Sequence, residues 1–258
     1  MLENKTIAVI GVGPGLGGEV ATGAVRDGAN VVIAARTEAK LIELADQLDP
    51  SGARVHPCRI DVADPDAGQT LVEAATDRFG GIDALVQVAA VDSVMGGVLG
   101  TDLDAFESTY RVNVAGPLRI IQAVAPVMEQ GGGGSVVLIG SQSAHLAQIL
   151  QTAYAASKGA MESAMVHLAA ELGPLGIRVN TVIPTWMWGP PVQAYVQWQA
   201  GERDVPEDDI KAEIMSRMVL DRIPADEDVA EAALFFCSDR ARSITGQSLM
   251  VNAGEIMG

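Results

Sequence analysis

The sequence predicts an α/β domain built on a doubly wound, seven-stranded parallel sheet with helices on both faces. Three observations carry that expectation. Short β-branched runs alternate with longer segments of helical spacing along most of the chain. The runs are continuously apolar, as strands buried on both faces require. A glycine-rich turn joins the first run to the first helical segment.

The first strand is read at 6–11, "TIAVIG", and it leads into "VGPGLGGEV", where backbone N–H groups and a helix N-terminus can face a phosphate. Two glycine registers fit: Gly11, Gly15 and Gly17, or Gly13, Gly15 and Gly18. A tight strand-to-helix turn with no ligand would use the same residues. The second strand, 29–35, ends before Arg36, and Leu41, Leu44, Ala45 and Leu48 then repeat at helical spacing. Arg36 stands where a dinucleotide fold that prefers NAD usually has an acid, and a guanidinium there accommodates the 2′-phosphate of NADP. A surface ion pair with Glu38 is the other role open to it. The third strand, 53–60, is followed by Asp61 and Val62, positioned to flank an adenine. The fourth is read at 82–89. The run Gly131 to Gly134 makes a flexible turn into the fifth strand at 135–140. Ala164, Leu168 and Leu172 mark a helix before the sixth strand at 177–183, and the seventh lies at 248–252.

One segment breaks the alternation. From about 185 to 221 the chain carries "GPP", the acidic "ERDVPEDD" and all three tryptophans, which reads as a lid over the sheet within a single domain spanning 1–258.

Composition narrows the function classes. Hydrophobic residues make up 48% and charged residues 19%, and no apolar run approaches the length of a membrane span. The start "MLENKTIAVIGVG" lacks the basic and apolar pattern of a secretory signal, so a cytoplasmic protein is expected. Acids outnumber bases 33 to 17, and the net charge of −16 disfavours nucleic acid and anionic membranes as partners. Cys58 and Cys237 form no CxxC pattern and are expected as reduced core residues. His56-x-Cys58 has no further ligands nearby, so no metal is expected.

"YAASK" places Tyr154 and Lys158 four apart, on one face of a helix. Ser141 closes the fifth strand thirteen residues earlier, and Asn113 lies in the helix before that strand, in "RVNVAG". With the glycine turn, "IGSQS", "GIRVN" and "ITGQSLMVNAG", these motifs resemble the short-chain dehydrogenase/reductase family along nearly the whole chain. The resemblance implies a Rossmann fold and an oxidoreductase that interconverts a ketone and a secondary alcohol. Tyr154 would pass the proton, Ser141 would hydrogen-bond the reacting oxygen, and Lys158 would tune the phenol and bind the nicotinamide ribose. Asn113 would hold a water linking Lys158 to solvent. The implied cofactor contacts are Gly11, Gly13, Gly15, Leu16 and Gly17 at the turn, then Arg36, Asp61 and Val62. Ala89 and Ala90, Tyr154 and Lys158, and Pro184, Thr185 and Met187 complete them. NADP(H) is favoured on Arg36, with NAD(H) the alternative; a non-catalytic dinucleotide sensor of the same fold is a further one.

Departures from the family pattern fall on the cofactor side. Its usual "TG" opening is Ile10-Gly11, Pro14 takes a position often basic in NADP-preferring members, and "NNAG" is Gln87 to Ala90. Ala90 adds a methyl where the family glycine approaches the cofactor. "PG" is Pro184-Thr185, and Gly189 stands where a threonine is expected to contact the carboxamide. Chain length and Pro14 argue against the extended epimerase-like branch, and the three-residue gap between Tyr154 and Lys158 against the divergent enoyl reductases.

Trp186, Trp188, Tyr195 and Trp198 suggest a lid over a hydrophobic, cyclic or aromatic small molecule; a lid packing these rings on itself or on a neighbouring subunit is the alternative. Ser143 and His145 lie close enough to Ser141 in sequence to touch substrate, and Met95 and Met187 to line the pocket. The resemblance also implies a homotetramer, or a homodimer, through helices starting near Asp102 and Thr152 and the last strand.

Overall fold

The computed structural model describes residues 1–92, 99–147 and 151–257; Met95 lies outside them. The nucleotide-side half runs β1 (Thr6–Ile10), α1 (Leu16–Arg26), β2 (Asn30–Ala35), α2 (Glu38–Leu48), β3 (Val55–Arg59), α3 (Ala67–Phe79) and β4 (Ala84–Gln87). There follow α4 (Leu103–Tyr110), which passes through one π turn (Arg111–Ala115) into α5 (Gly116–Gln130), then β5 (Gly134–Ile139), α6 (Thr152–Leu172) and β6 (Ile177–Pro184). The lid holds α7 (Pro190–Arg203) and α8 (Glu207–Met215), and α9 (Asp226–Cys237) and β7 (Ser248–Val251) close the domain.

All seven strands pair in parallel in the order β3-β2-β1-β4-β5-β6-β7. The winding reverses between β1 and β4, and a crevice opens at such a reversal, beyond the carboxyl ends of the strands. Ile10 pairs with both Ala34 and Gln87, so β1, β2 and β4 end level there.

Alternation along β1 divides the core. Ile7 and Val9 pack with Val20 of α1, Leu41 of α2 and Val229 of α9 on one face. Ala8 and Ile10 pack with Leu71 of α3, Ile120 of α5 and Met165 of α6 on the other. Burying each large aliphatic contributes roughly 1.5–3 kcal/mol, which explains why β1 is apolar after Thr6, whose backbone amide donates to the Asp83 carboxylate. Pro57 in β3 offers no donor, a loss tolerated because β3 is an edge strand. β4 is shorter than the run 82–89 suggested. The amides of Val88 and Ala89 both donate to the Ile10 carbonyl, so the ladder ends at Gln87 and the chain turns over the end of β1. Gln87 is buried and donates to the Ala89 carbonyl, bracing its own loop.

The lid has its own small core of Val196, Ala200, Ile210, Ile214 and Met218, against which Trp186 and Trp188 pack. The acidic stretch lies on its solvated side, and Glu207, Asp208 and Asp209 occupy the first turn of α8, where the helix dipole favours them. Among the described residues no helix is long and apolar enough to cross a membrane. Cys58 and Cys237 are buried free thiols. Burial pushes them up to about 11 and about 12, which leaves both protonated and inert.

Candidate active site

A cleft of about 540 Å³ opens at the ends of β1 to β4, walled by the glycine turn, by Arg36, Thr37 and Lys40, by Ile60 to Val62, and by Val88 to Asp92, with Tyr154 at one end and Pro191 above. The glycine turn is shaped by close approach. Gly11 has φ +93°, and a Cβ there would stand 2.4 Å from the Ala89 amide nitrogen, because the exit from β4 passes directly over it. Gly15 has φ +112° as the residue before α1, and a Cβ on Gly17 would meet the Gly11 carbonyl at 2.3 Å. Gly18 is constrained as well, since its Cβ would stand 2.7 Å from the Gly13 carbonyl, so the two registers differ at Gly11, which is tightly enclosed, and Gly13, which has open space beside it and lines the cleft.

No side chain caps α1, so its first N–H groups are available to an anion, with Leu16 and Gly17 in the cleft wall. At the far wall Arg36 is exposed and makes no ion pair with Glu38 or any other acid among the described residues. Lys40 joins it there, a second cation that the sequence reading passed over although it lies four residues on. An uncapped helix start, two cations at the end of β2 and the Asp61–Val62 wall fit a dinucleotide. Gly15, Lys158, Pro184, Thr185 and Met187 do not line this cleft. Thr185 donates a short hydrogen bond to Glu255, and Met187 packs against the main core.

Ser141 follows β5 in extended conformation and accepts from the Ser143 amide at 3.2 Å, with the two hydroxyls 2.9 Å apart. Its hydroxyl is near enough to the Tyr154 phenol to act on the phenol's acidity. Tyr154 and Lys158 lie in the first two turns of α6, with the Lys158 Nζ 5.5 Å from the phenol ring centroid. That ammonium, only 6% exposed, donates to the Ile139 carbonyl at 2.7 Å. Burial dominates both groups. It pushes the phenol up to about 12, opposed by the neighbouring Ser141 hydroxyl, and the ammonium down to about 8, opposed by the charge of Asp92.

Asn113 sits in the π turn, an irregularity that often marks functional positions. Its carbonyl accepts from the Val91 amide at 2.7 Å, and its amide donates to the Val91 carbonyl and the Ser157 hydroxyl, each at 2.9 Å. Ser157 in turn donates to the Tyr154 carbonyl at 2.7 Å. The side chain thus fastens the loop after β4 to α6.

Two acids went unnoticed in the sequence. Asp92 lines the cleft with Tyr154, and its charge is felt at both Tyr154 and Lys158. Asp226, at the start of α9, lies against Gly189. A Cβ on Gly189 would stand 2.4 Å from the carboxylate, so the threonine expected there would have to displace the Asp226 side chain. The same carboxylate borders Gly15, and burial together with Glu19 pushes it above the usual range. The only sequence signal for Asp226 was the missing threonine.

The aromatic lid residues form a cluster of their own. Ring centroids of Trp186 and Tyr195 are 5.0 Å apart and those of Tyr195 and Trp198 6.1 Å, while Lys211 lies over Trp188 at 5.1 Å. None of the four lines the cleft. His145 pairs with Glu162 of α6 at 2.8 Å.

Known proteins resemble the chain over nearly its whole length. The family described as enoyl-(acyl carrier protein) reductase matches residues 11–255. The chain is 32% identical over 256 residues to L-rhamnose 1-dehydrogenase (NAD(P)(+)) of Sphingomonas sp., covering 98% of this chain and 97% of that protein. It is 30% identical to 7alpha-hydroxysteroid dehydrogenase of Escherichia coli over 257 residues, covering 99% and 95%. A short-chain type dehydrogenase/reductase from Mycobacterium ulcerans superimposes with a TM-score of 0.89 at 30% identity, covering 98% of this chain and 90% of that one.

Proposed function

The chain belongs to the short-chain dehydrogenase/reductase family as an NAD(P)-dependent oxidoreductase, and on that premise we propose that it interconverts a ketone and a secondary alcohol on a cyclic small molecule, using NADP(H). The observation that carries the reading is the Tyr154 phenol, with the Ser141 hydroxyl acting on it, in the same cleft as the glycine turn. Bound along the cleft, the cofactor supplies or accepts hydride through its nicotinamide. In reduction Tyr154 gives its proton to the carbonyl oxygen, and Ser141 stabilises the charge building on that oxygen. A phenol held near 12 is well protonated at neutral pH, so it serves directly as the acid. In oxidation it must first lose that proton, which the ammonium of Lys158 and the positive charge of an oxidised nicotinamide favour. The short Tyr154-to-Lys158 gap supports carbonyl chemistry over the enoyl reduction in the family description.

Arg36 and Lys40 support NADP(H), since two cations on the wall that make no ion pair among the described residues suit a 2′-phosphate. NAD(H) is the second reading, favoured by the name of the rhamnose relative, which covers both cofactors. Cyclic substrates are supported by relatives named for a sugar and for a steroid. A strictly hydrophobic substrate has less support, because the rings on which it rested pack within the lid. A homotetramer or homodimer fits exposed apolar residues on the three elements concerned: Leu103 on α4, Val166 on α6 and Leu249 on β7, at 71%, 55% and 40% exposure. A cytoplasmic location is part of the same proposal.

The test is NADPH and NADH turnover by wild type and Tyr154→Phe on a panel of cyclic ketones and alcohols, with cofactor affinity measured in parallel. Tyr154→Phe is expected to lose about 10³-fold in kcat and to bind NADPH as wild type does. Retained turnover in the variant would remove Tyr154 from the reaction.

A further inference from the structure

We propose that Asp92 is a specificity-determining residue that accepts a hydrogen bond from a substrate hydroxyl, so that the preferred substrate carries a second hydroxyl beside the reacting carbon, as sugars and polyols do. The inference rests on the Tyr154 reading above and names the substrate class for that same site.

Asp92 shares the cleft wall with Tyr154 and is exposed there. Among the described residues its carboxylate has no ion-pair partner. Its position is nevertheless built. The preceding residue, Val91, has both backbone polar groups held by Asn113, at 2.7 and 2.9 Å. Asn113 also binds Ser157, whose hydroxyl reaches the Tyr154 carbonyl. Three consecutive links therefore set where Asp92 begins relative to the catalytic helix. The carboxylate charge is felt at both Tyr154 and Lys158, as its place in the cleft requires.

A carboxylate on the wall of a reaction cleft is solvated by water while the cleft is open. A substrate seated against Tyr154 displaces that water. An unfunctionalised ring would leave the carboxylate without donors, and stranding an ionised group in a desolvated site is among the most costly forms of burial. A hydroxyl supplies the donor, and its bond to an ionised acceptor is stronger than one between neutral partners. A substrate ammonium would also supply donors, but it would enter beside the Lys158 ammonium and a positively charged oxidised nicotinamide. The hydroxyl is the favoured partner.

The experiment uses matched alcohols, cyclohexanol, trans-1,2-cyclohexanediol and trans-2-aminocyclohexanol, with wild type, Asp92→Asn and Asp92→Ala. The readout is the ratio of kcat/KM for the diol to that for the mono-alcohol, together with binding of each to the protein by ligand-observed NMR. Wild type is expected to favour the diol by tenfold or more. The ratio should fall close to one in Asp92→Ala and to an intermediate value in Asp92→Asn, whose amide oxygen still accepts. The NMR preference should follow the same order. An equal ratio in wild type and Asp92→Ala, or a wild-type preference for the amino alcohol, would overturn the proposal. If wild type turns over none of the alcohols, the NMR preference alone decides on Asp92, while the missing turnover counts separately against the Tyr154 chemistry.

Discussion

The two sides of the cleft are held in different ways. From Gly11 to Val62 the wall is mostly main chain: the exit of β4 crosses Gly11, and α1 begins uncapped beside it. Over the sheet, residues 185–221 form a lid whose shape comes from interlocked side chains, Trp186 on Tyr195 and both Trp186 and Trp188 on Val196, Ile210 and Ile214. A wall made of backbone tolerates no added atoms but depends little on particular side chains. A lid made of side chains does the reverse, and Asp92, among the residues that line the cleft, is not part of it.

The sharpest way to break this contrast is Gly11→Val on the backbone side. Its Cβ would meet Ala89 within 2.8 Å or less at an unfavourable φ, and a loss of about 3 kcal/mol in stability is expected, with NADPH binding weakened in parallel. Chemical denaturation and cofactor titration would check it, and a stable variant would show that the β4 exit can move.

Nearly as large, and opposite in sign, is the effect expected at the seam between the two sides. A lysine held at about 8 instead of 10.5 costs the folded state roughly 3 kcal/mol while it stays charged. Below pH 8 both folded and unfolded chains carry the proton, and that cost is present in full. Between 8 and 10.5 the unfolded chain holds more protons than the folded one, so this contribution makes stability rise with pH. Lys158→Met should therefore be more stable than wild type at pH 7, lack this rise from about pH 8 to 10, and be inactive. Thermal unfolding across that range decides it; a variant less stable than wild type at pH 7 would mean that the bond to Ile139 outweighs desolvation.

At the β2 end, Arg36→Ala should weaken NADPH about tenfold to a hundredfold and leave NADH nearly unchanged, as measured by equilibrium binding. Equal losses for the two cofactors would shift the 2′-phosphate away from this wall.

The smallest expected effect sharpens the lid side. Trp198 is 60% exposed at the edge of its cluster, so Trp198→Ala should cost about 0.5 kcal/mol or less and barely change kcat/KM, whereas Trp186→Ala should cost about 3 kcal/mol. A large fall in kcat/KM for Trp198→Ala, with stability intact, would return that ring to the substrate.

Much of this molecule was legible beforehand where the chain itself imposes the pattern. Runs of β-branched residues became strands because a parallel sheet covered on both faces admits little else, and Gly11 and Gly17 lie where backbone meets backbone. Tyr154 and Lys158 share a face of α6 by helical geometry alone. The end of β4 was misread by two residues on each side, since the switch of Val88 and Ala89 onto Ile10 is a pairing event that local composition does not encode. Lys40 was visible only as an ordinary surface helix residue until α2 was placed beside the cleft.

The sequence by itself determined the order of strands and helices, the glycine turn and the shared helix face of Tyr154 and Lys158, because each is set by periodicity, by steric exclusion or by residue type at short range, while the series Asn113, Ser141, Tyr154 and Lys158 was legible only through the family resemblance. Only the tertiary structure decided that Asn113 grips Val91, that Asp92 shares a cleft with Tyr154, and that Asp226 occupies the space beside Gly189. It also decided that the lid rings face one another. In each case residues distant in sequence meet, and whether a side chain lines a cleft or fills a core depends on what the rest of the fold brings against it.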